Sequence, residues 1–256
     1  MKHLFSIFIF TGIALCAFSQ KSPDPVNTGM FPNKTDSKGQ KQGEWTEQVV
    51  DMKAEGSYLN GRKEGSWTTF NARGVIVKVE SYKSDKKDGL FLTVENGYVA
   101  KEEHYKNDIL HGPLRSFTYG GRPKTESYYS NGKLSGPSRK YYDTEKLQEE
   151  VNYLNDQKDG TAKWYNQDSK LTVEYMYKKG ELEGIQKTYY QNGALSTEDT
   201  YSKNVQTGPS REYYENGKLK AEGNYENDQK NGPWKEYSEE GTLLRTVKYV
   251  DGAVKE

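Results

Sequence analysis

Polar and apolar residues alternate along most of the chain after residue 38, and no long apolar run interrupts the alternation. Alternation of this kind predicts β-strands whose two faces differ. Tyr, Thr, Val and Phe are frequent in the alternating segments, whereas Gly, Asn and Asp cluster between them. The first group favours strands and the second favours turns. The pattern therefore predicts an all-β protein made of short strands joined by tight turns.

A tyrosine recurs every 23 or 24 residues from Tyr58 to Tyr249, and a glycine lies seven residues after each of the first eight. A fixed period of this length indicates a repeat architecture. We number each unit from its glycine as position 0. The consensus is then a basic residue at +3, an aromatic residue at +5, Asn-Gly at +8/+9, Leu at +11, Glu at +14 and Tyr at +17. The nine glycines are Gly43, Gly65, Gly89, Gly112, Gly136, Gly160, Gly184, Gly208 and Gly232.

The Asn-Gly pair predicts that each unit is a β-hairpin. It stands in mid-unit as Asn192-Gly193 and Asn216-Gly217, and Asn-Gly readily adopts the two positive φ angles of a type I′ turn. The connection between units, as in ENDQKNG, is expected to be a longer turn. About nine 24-residue hairpins predict an elongated, single-layer antiparallel meander. A parallel β-solenoid is the alternative architecture, but it needs more inward-facing Val, Ile and Leu than this chain contains.

A two-residue turn at +8/+9 predicts facing positions that sum to 17, which places +3 opposite +14. Five successive units then have a cation opposite a carboxylate, an arrangement that favours this register. The predicted pairs are Arg115 with Glu126, Arg139 with Glu150, Lys163 with Glu174, Lys187 with Glu198, and Arg211 with Glu222.

The predicted register divides each unit between two faces. The ion-pair face carries +3, +5 and +14, and its aromatic row includes the candidate partner-binding residues Tyr141, Tyr165, Tyr189 and Tyr213. The tyrosine face carries +2, +11 and +17, where Leu147, Leu171, Leu195, Leu219 and Leu243 are expected beside the periodic tyrosines. Trp45, Trp67 and Trp234 occupy +2 in units one, two and nine. They are interpreted either as caps of the stack or as further partner-binding residues.

The N-terminal residues predict export. Lys2 and His3 precede an apolar run that is too short to span a bilayer, and Ala17-Phe18-Ser19 fits a signal-peptidase site. The predicted domains are a signal peptide over 1–19, a flexible linker over 20–38 and the repeat array over 39–256. A membrane anchor and lipid attachment at Cys16 are the alternatives. The expected location is the periplasm, the outer cell surface or the extracellular space.

Composition excludes several classes of function. Lys+Arg and Asp+Glu both number 37, so the chain lacks the basic excess of nucleic-acid-binding proteins. Cys16 is the only cysteine, and it leaves with the signal peptide. His104 and His111 lie at different repeat positions, and the loop 155–160 lacks the acidic spacing of a calcium loop. We therefore expect no catalytic residues, no cofactor and no metal.

The pattern G-x-W-x-x-Y-x-x-x-G-x-L-x-x-E-x-x-Y resembles the MORN-repeat-variant family. The segments from Gly232 to Tyr237 and from Tyr213 to Leu219 match it well, and the resemblance covers about residues 39 to 256. It implies a sheet of successive hairpins used as a scaffold, without catalytic residues to carry over. Some bacterial proteins with these repeats are labelled antitoxins of toxin–antitoxin pairs, and related proteins organise other proteins or associate with lipids.

The sequence therefore predicts a non-catalytic, exported scaffold that binds a protein partner through the faces of its sheet. Tyr and Arg are the residues that most often anchor protein interfaces. The alternatives are a recognition module for glycans or lipids of the cell envelope and an antitoxin-like neutralising protein. We expect no contact with nucleic acid and no integral membrane segment.

Overall fold

A computed structural model describes residues 33–255 of the chain. The predicted signal peptide and most of the predicted linker lie outside the described residues. Within them, strands are joined in sequence order into one open antiparallel sheet, and there is no helix. The all-β meander of hairpin repeats is thus confirmed. Because every pairing among the described strands is antiparallel, the parallel solenoid does not apply.

Residues 33–255 form a sheet of 22 strands. They are β1 (Lys34–Thr35), β2 (Lys41–Val49), β3 (Met52–Leu59), β4 (Arg62–Phe70), β5 (Ile76–Lys83), β6 (Lys86–Glu95), β7 (Tyr98–Lys106), β8 (Ile109–Phe117), β9 (Pro123–Ser130), β10 (Lys133–Leu134), β11 (Gly136–Tyr141), β12 (Leu147–Leu154), β13 (Gln157–Tyr165), β14 (Leu171–Lys178), β15 (Glu181–Leu182), β16 (Gly184–Tyr189), β17 (Leu195–Ser202), β18 (Val205–Tyr213), β19 (Leu219–Glu226), β20 (Gln229–Tyr237), β21 (Leu243–Val250) and β22 (Ala253–Val254).

The sheet begins inside the segment that the sequence predicts as a linker. Strand β1 pairs with the start of β2. Just before it, the Asn33 side chain accepts a hydrogen bond from the Thr46 backbone N–H at 2.8 Å and donates one to the Thr46 carbonyl at 2.9 Å. The Asn33 amide thereby pairs with both the N–H and the carbonyl of Thr46 on the outer edge of β2. A neighbouring strand would otherwise supply these two hydrogen bonds.

The short and the long turn occur in the opposite places from those predicted. In unit eight, the Gly217 N–H donates to the Tyr214 carbonyl and the Tyr214 N–H donates to the Lys218 carbonyl, both at 2.9 Å. The mid-unit loop therefore has three residues, and only its last residue, Gly217, has positive φ. Such a loop is a type I turn followed by a G1 bulge. The predicted two-residue type I′ turn is wrong for this unit and for the units that share its pattern.

The two-residue turns lie between units instead. Both central residues of these turns have positive φ, as a type I′ turn requires. They are Asn60-Gly61, Ser84-Asp85, Asn107-Asp108, Asn131-Gly132, Asn155-Asp156, Lys179-Gly180, Lys203-Asn204 and Asn227-Asp228. Since these turns are tight, the longer connection predicted from ENDQKNG is also wrong.

Each inter-unit turn is bound to the hairpin before it. The Asp85 N–H donates to the Lys63 carbonyl at 3.0 Å, and the Lys63 N–H donates to Asp85 Oδ1 at 2.7 Å. Asp156 Oδ1 accepts the Leu134 N–H at 2.8 Å in the same way. Asp or Asn at the second turn position therefore adopts positive φ and also links two units.

The +3/+14 register is confirmed, although the turn that predicted it is wrong. In unit eight, Arg211 faces Glu222, while the register shifts by one residue between Glu212 and Tyr213. The three-residue turn changes the register by one residue, and this bulge changes it back. On the turn side of the bulge, the three-residue turn places Tyr213 opposite Leu219. The prediction that the +11 leucines share the tyrosine face is therefore wrong, because facing residues share a face and Tyr213 belongs to the ion-pair face.

The apolar core is a thin layer within the tyrosine face. Trp67 and Trp234 are 1% and 2% exposed, although no second sheet formed by residues 33–255 covers them. Each indole packs over a glycine of the preceding unit and donates its N–H to a backbone carbonyl: Trp67 lies over Gly56 and bonds Ser57, and Trp234 lies over Gly223 and bonds Asn224. The sequence analysis did not identify these glycines as packing partners.

We predict that Gly223→Ala destabilises the last two units by about 1–3 kcal/mol, the usual cost of overpacking. A Cβ at this position would overlap the Trp234 ring. Urea unfolding followed by far-UV circular dichroism measures the loss for every variant with the same probe. Combining the change with Trp234→Ala provides the control, because the alanine then has room. An equal cost in both backgrounds would contradict the packing.

Candidate functional site

The ion-pair face carries the predicted row of charges. All five predicted pairs are present, with nitrogen–oxygen distances of 2.9 Å for Arg115–Glu126, 2.5 Å for Arg139–Glu150, 3.3 Å for Lys163–Glu174, 3.3 Å for Lys187–Glu198 and 3.9 Å for Arg211–Glu222. Cross-strand pairing places each of them on adjacent strands. The cation and the carboxylate therefore sit where the backbone register requires them.

Several glutamates also bind the cation of the following unit. Glu126 contacts Arg139 at 3.2 Å in addition to Arg115, and Glu222 contacts Lys235 at 3.6 Å in addition to Arg211. These contacts join separate hairpins into a ladder of alternating charge. An isolated exposed pair contributes little stability, but a network with shared carboxylates holds neighbouring units in register.

Glu126 is the most enclosed carboxylate of the five predicted pairs, with a side chain that is 15% exposed. Burial raises the pKa of this carboxyl group. Hydrogen bonds from Arg115, Tyr128 and Arg139 and the charge of Arg115 lower it by more, so the net pKa lies below its ordinary value of 4.5. The ionised form therefore stabilises the folded state.

The candidate aromatic row lies on this ladder. Tyr141, Tyr165, Tyr189 and Tyr213 are all half-buried. Two of them donate to the glutamate of the preceding unit: Tyr189 bonds Glu174 at 3.3 Å and Tyr213 bonds Glu198 at 3.2 Å. The row thus presents phenol rings at one per repeat, beside charged groups that are already paired.

The candidate tryptophans belong to the other face. Trp67 and Trp234 pack inside the tyrosine face and offer almost no surface to a partner, whereas Trp45 is half-buried. The ring of Tyr58 stands edge-on between Trp45 and Trp67, with centroid separations of 5.7 and 5.1 Å. This geometry favours the interpretation as caps, and a partner contact at these residues stays a prediction.

A lysine at position −2 is a recurring element that the sequence analysis missed. Its ammonium group lies over an aromatic ring of the tyrosine face, as Lys63 does over Trp67 at 4.0 Å and Lys230 over Trp234 at 3.9 Å. Such cation–π contacts are worth about 0.5–1 kcal/mol at exposed sites and more when desolvated. The lysines concerned are Lys41, Lys63, Lys87, Lys158 and Lys230. The sequence contains a signal for this element, because each of these lysines lies two residues before its unit glycine.

The remaining candidate groups have structural partners. His104 Nε2 lies 2.9 Å from Glu102, and His111 Nδ1 accepts the Asn131 N–H at 3.4 Å. In the calcium-like loop, Asp159 accepts the Lys179 N–H at 3.1 Å, while Asp156 binds the preceding unit as described above. No group of three or more His, Cys, Asp or Glu residues within 33–255 could hold a metal ion.

Comparison with known families agrees with this geometry. The family model described as MORN repeat variant matches five tandem segments, residues 134–155, 158–179, 182–203, 206–227 and 230–251. These are MORN-variant repeats. Each matched segment begins two residues before a unit glycine and spans both strands of one hairpin, so the family unit coincides with our glycine-based unit apart from this offset. MORN-repeat families are generally non-catalytic scaffolds.

The curated proteins include no match to the chain. No helix within residues 33–255 has the length and apolar character needed to cross a membrane. Units one to four lie outside the five matched segments, yet unit two also pairs its glycine with its tyrosine, Gly65 with Tyr82. The same hairpin geometry therefore extends beyond the matched MORN-variant repeats.

We predict that Glu126→Gln costs on the order of 1 kcal/mol near neutral pH, as expected for a lost charged hydrogen bond. Because the folded pKa is lowered, the stabilisation is present above about pH 4.5 and is lost as the pH falls through the folded pKa. Urea unfolding at several pH values should show the wild type and the variant converging in acid. Glu215→Gln, at an exposed turn, serves as the control and should leave the stability unchanged.

Proposed function

We propose that the chain is a non-catalytic, exported scaffold that binds a protein partner through the ion-pair face of its MORN-variant repeats. The observation that carries the proposal is the row of Tyr141, Tyr165, Tyr189 and Tyr213, which repeats at one ring per hairpin beside Arg and Lys side chains. Tyrosine and arginine supply large contact area and directed hydrogen bonds, and they are enriched among the residues that dominate interface energetics.

The charge arrangement favours a protein over a lipid surface. Cations of the ladder are paired with glutamates, so the face has little net positive charge with which to attract anionic lipid. A glycan is the second candidate, because regularly spaced rings can stack on successive sugars. Hairpins advance by two strands, roughly 9–10 Å, which is about the length of a disaccharide. An antitoxin-like role would be the same kind of protein contact with a toxin as the partner.

We predict that replacing Tyr141, Tyr165, Tyr189 and Tyr213 together by Ser abolishes capture of the partner. The measurement is a cross-linked pull-down from the native cell envelope, read by mass spectrometry for one near-stoichiometric protein. The control replaces Lys146, Lys170 and Lys218 by Ser, since these residues lie at the mid-unit turns of the same part of the array. Circular dichroism must show that both variants keep the sheet.

Three outcomes separate the candidates. Loss of one partner in the tyrosine variant alone supports the proposal. Capture that is equal in both variants would exclude this face as the protein-binding surface. Enrichment of envelope glycan without protein, again dependent on the tyrosines, would favour the second candidate.

We propose export from the N-terminal sequence, and the expected cleavage gives a direct test. Signal peptidase should cut after Ser19, so that the processed chain begins at Gln20. Intact-mass measurement of protein recovered from its native cells should show the loss of residues 1–19. A recovered chain that still contains the apolar segment would contradict cleavage. A chain that begins at Cys16 and is heavier than residues 16–256 alone would indicate a lipid anchor.

A further inference from the structure

A small polar cavity lies on the tyrosine face in unit seven. Its volume is about 50 Å³, enough for a water molecule or one ammonium group and far below the several hundred Å³ of a typical small-molecule pocket. Hydroxyl groups and one carboxylate dominate its lining. The polar lining residues are Tyr175, Gln186, Thr188, Thr197, Asp199 and Tyr201.

Asp199 provides the charge of this cavity. Its Oδ1 accepts hydrogen bonds from Ser210 Oγ at 2.6 Å and from Gln206 Nε2 at 2.9 Å. Within residues 33–255, neither a hydrogen bond to Oδ2 nor an ion pair to this carboxylate is present. By contrast, Glu47 on the same face contacts the Lys41 ammonium at 2.6 Å. A partly buried carboxylate without a cation favours the binding of one.

Four other units have a lysine in the corresponding place. In units one, two, three and nine, the lysine at −2 lies between the aromatic residue at +2 and the periodic tyrosine of its own unit, as Lys63 does with 4.0 Å to Trp67 and 5.4 Å to Tyr82. In unit seven, the −2 position is Leu182 and the +2 position is Gln186, while Tyr201 keeps the +17 position. The ring and a carboxylate are thus present here, while Leu182 lines the cavity and no lysine of the described residues 33–255 pairs with the carboxylate.

We propose that this cavity binds one primary ammonium group, presented by a lysine side chain of the protein partner. The ammonium group would donate to Asp199 Oδ2 and lie against the ring of Tyr201, as the chain's own lysines lie against the rings of other units. The choice of a partner lysine rests on the proposed function and requires that the partner, bound to the ion-pair face, also reaches around the sheet to the tyrosine face. The ammonium chemistry rests on the cavity alone. A free polyamine carries the same group, so the test must separate these two sources.

The test is an NMR titration of the processed chain with three probes. They are Nα-acetyl-lysine N-methylamide, its Nε-acetylated counterpart and spermidine. We expect the lysine amide to shift the resonances of Asp199, Tyr201 and Gln186, and the acetylated compound to leave them unchanged. No shift with either amine would overturn the cavity as an ammonium site. Binding of spermidine without binding of the lysine amide would overturn the partner lysine and leave a polyamine as the source.

Two variants and two matched controls locate the binding. Asp199→Asn keeps the shape but removes the charge, and it should weaken binding about tenfold or more. Leu182→Lys supplies an ammonium group from the same position as in other units, and it should abolish probe binding while the sheet stays folded. Leu134→Lys, at the same position in unit five, and the exposed Asp168→Asn should bind the probe like the wild type. Unchanged affinity in Asp199→Asn would overturn the proposal.

The pull-down with Leu182→Lys then distinguishes the two proposals. Weaker capture of the partner supports insertion of its lysine into the cavity. Full capture by this variant would overturn the partner lysine, yet the ion-pair face could still be the binding surface. Loss of capture only in the tyrosine variant described above would leave the proposed function in place without the cavity.

Discussion

In the part of the chain that the structure describes, the sheet has no second layer, so it has to cover each apolar side chain with neighbours on the same face. This constraint explains why the buried residues of the chain form a line rather than a compact core. Trp67 and Trp234 reach almost complete burial because a glycine beneath each ring lets the indole lie flat against the backbone. Neighbouring tyrosine rings pack against the edges of the indole, and a lysine side chain lies over its outer surface. Long polar side chains can cover apolar surface in this way because only their charged ends need water.

The same constraint explains the unusual amount of charge in a well-ordered sheet. With few apolar residues to hold the register, the ion-pair face supplies it through carboxylates shared between successive units, such as Glu126 between Arg115 and Arg139. A slip of one strand would break several of these contacts together and would also move each tryptophan away from its glycine. The two faces therefore depend on one register, although their chemistry differs.

Some sequence signals were sufficient to predict the fold and its strand register. The period, the hairpins and the +3/+14 pairs could be predicted, because a cation and a carboxylate that recur together over five units limit the register strongly. The turns could not, since Asn-Gly is compatible both with a type I′ turn and with the end of a three-residue turn, where only Gly217 needs positive φ. The face on which the +11 leucines lie depends on which of these two turns forms, so it could not be predicted either. The role of Gly223 could not be predicted either, because its partner Trp234 is eleven residues away across a bulge.

At the mid-unit end of a hairpin, the three-residue turn and the bulge compensate for each other's effect on the strand register. This compensation determines which parts of the array can change in length. Unit three has a shorter, two-residue turn at Asn96-Gly97, yet Gly89 still faces Tyr105 and Glu102 still meets Arg115. Differences in loop length are thus absorbed within a few residues of the hairpin tip and do not reach the rest of the sheet. One edge of the array can therefore vary in length and sequence from unit to unit, while the opposite edge, where each tight turn is tied to its neighbour, preserves the spacing of the whole.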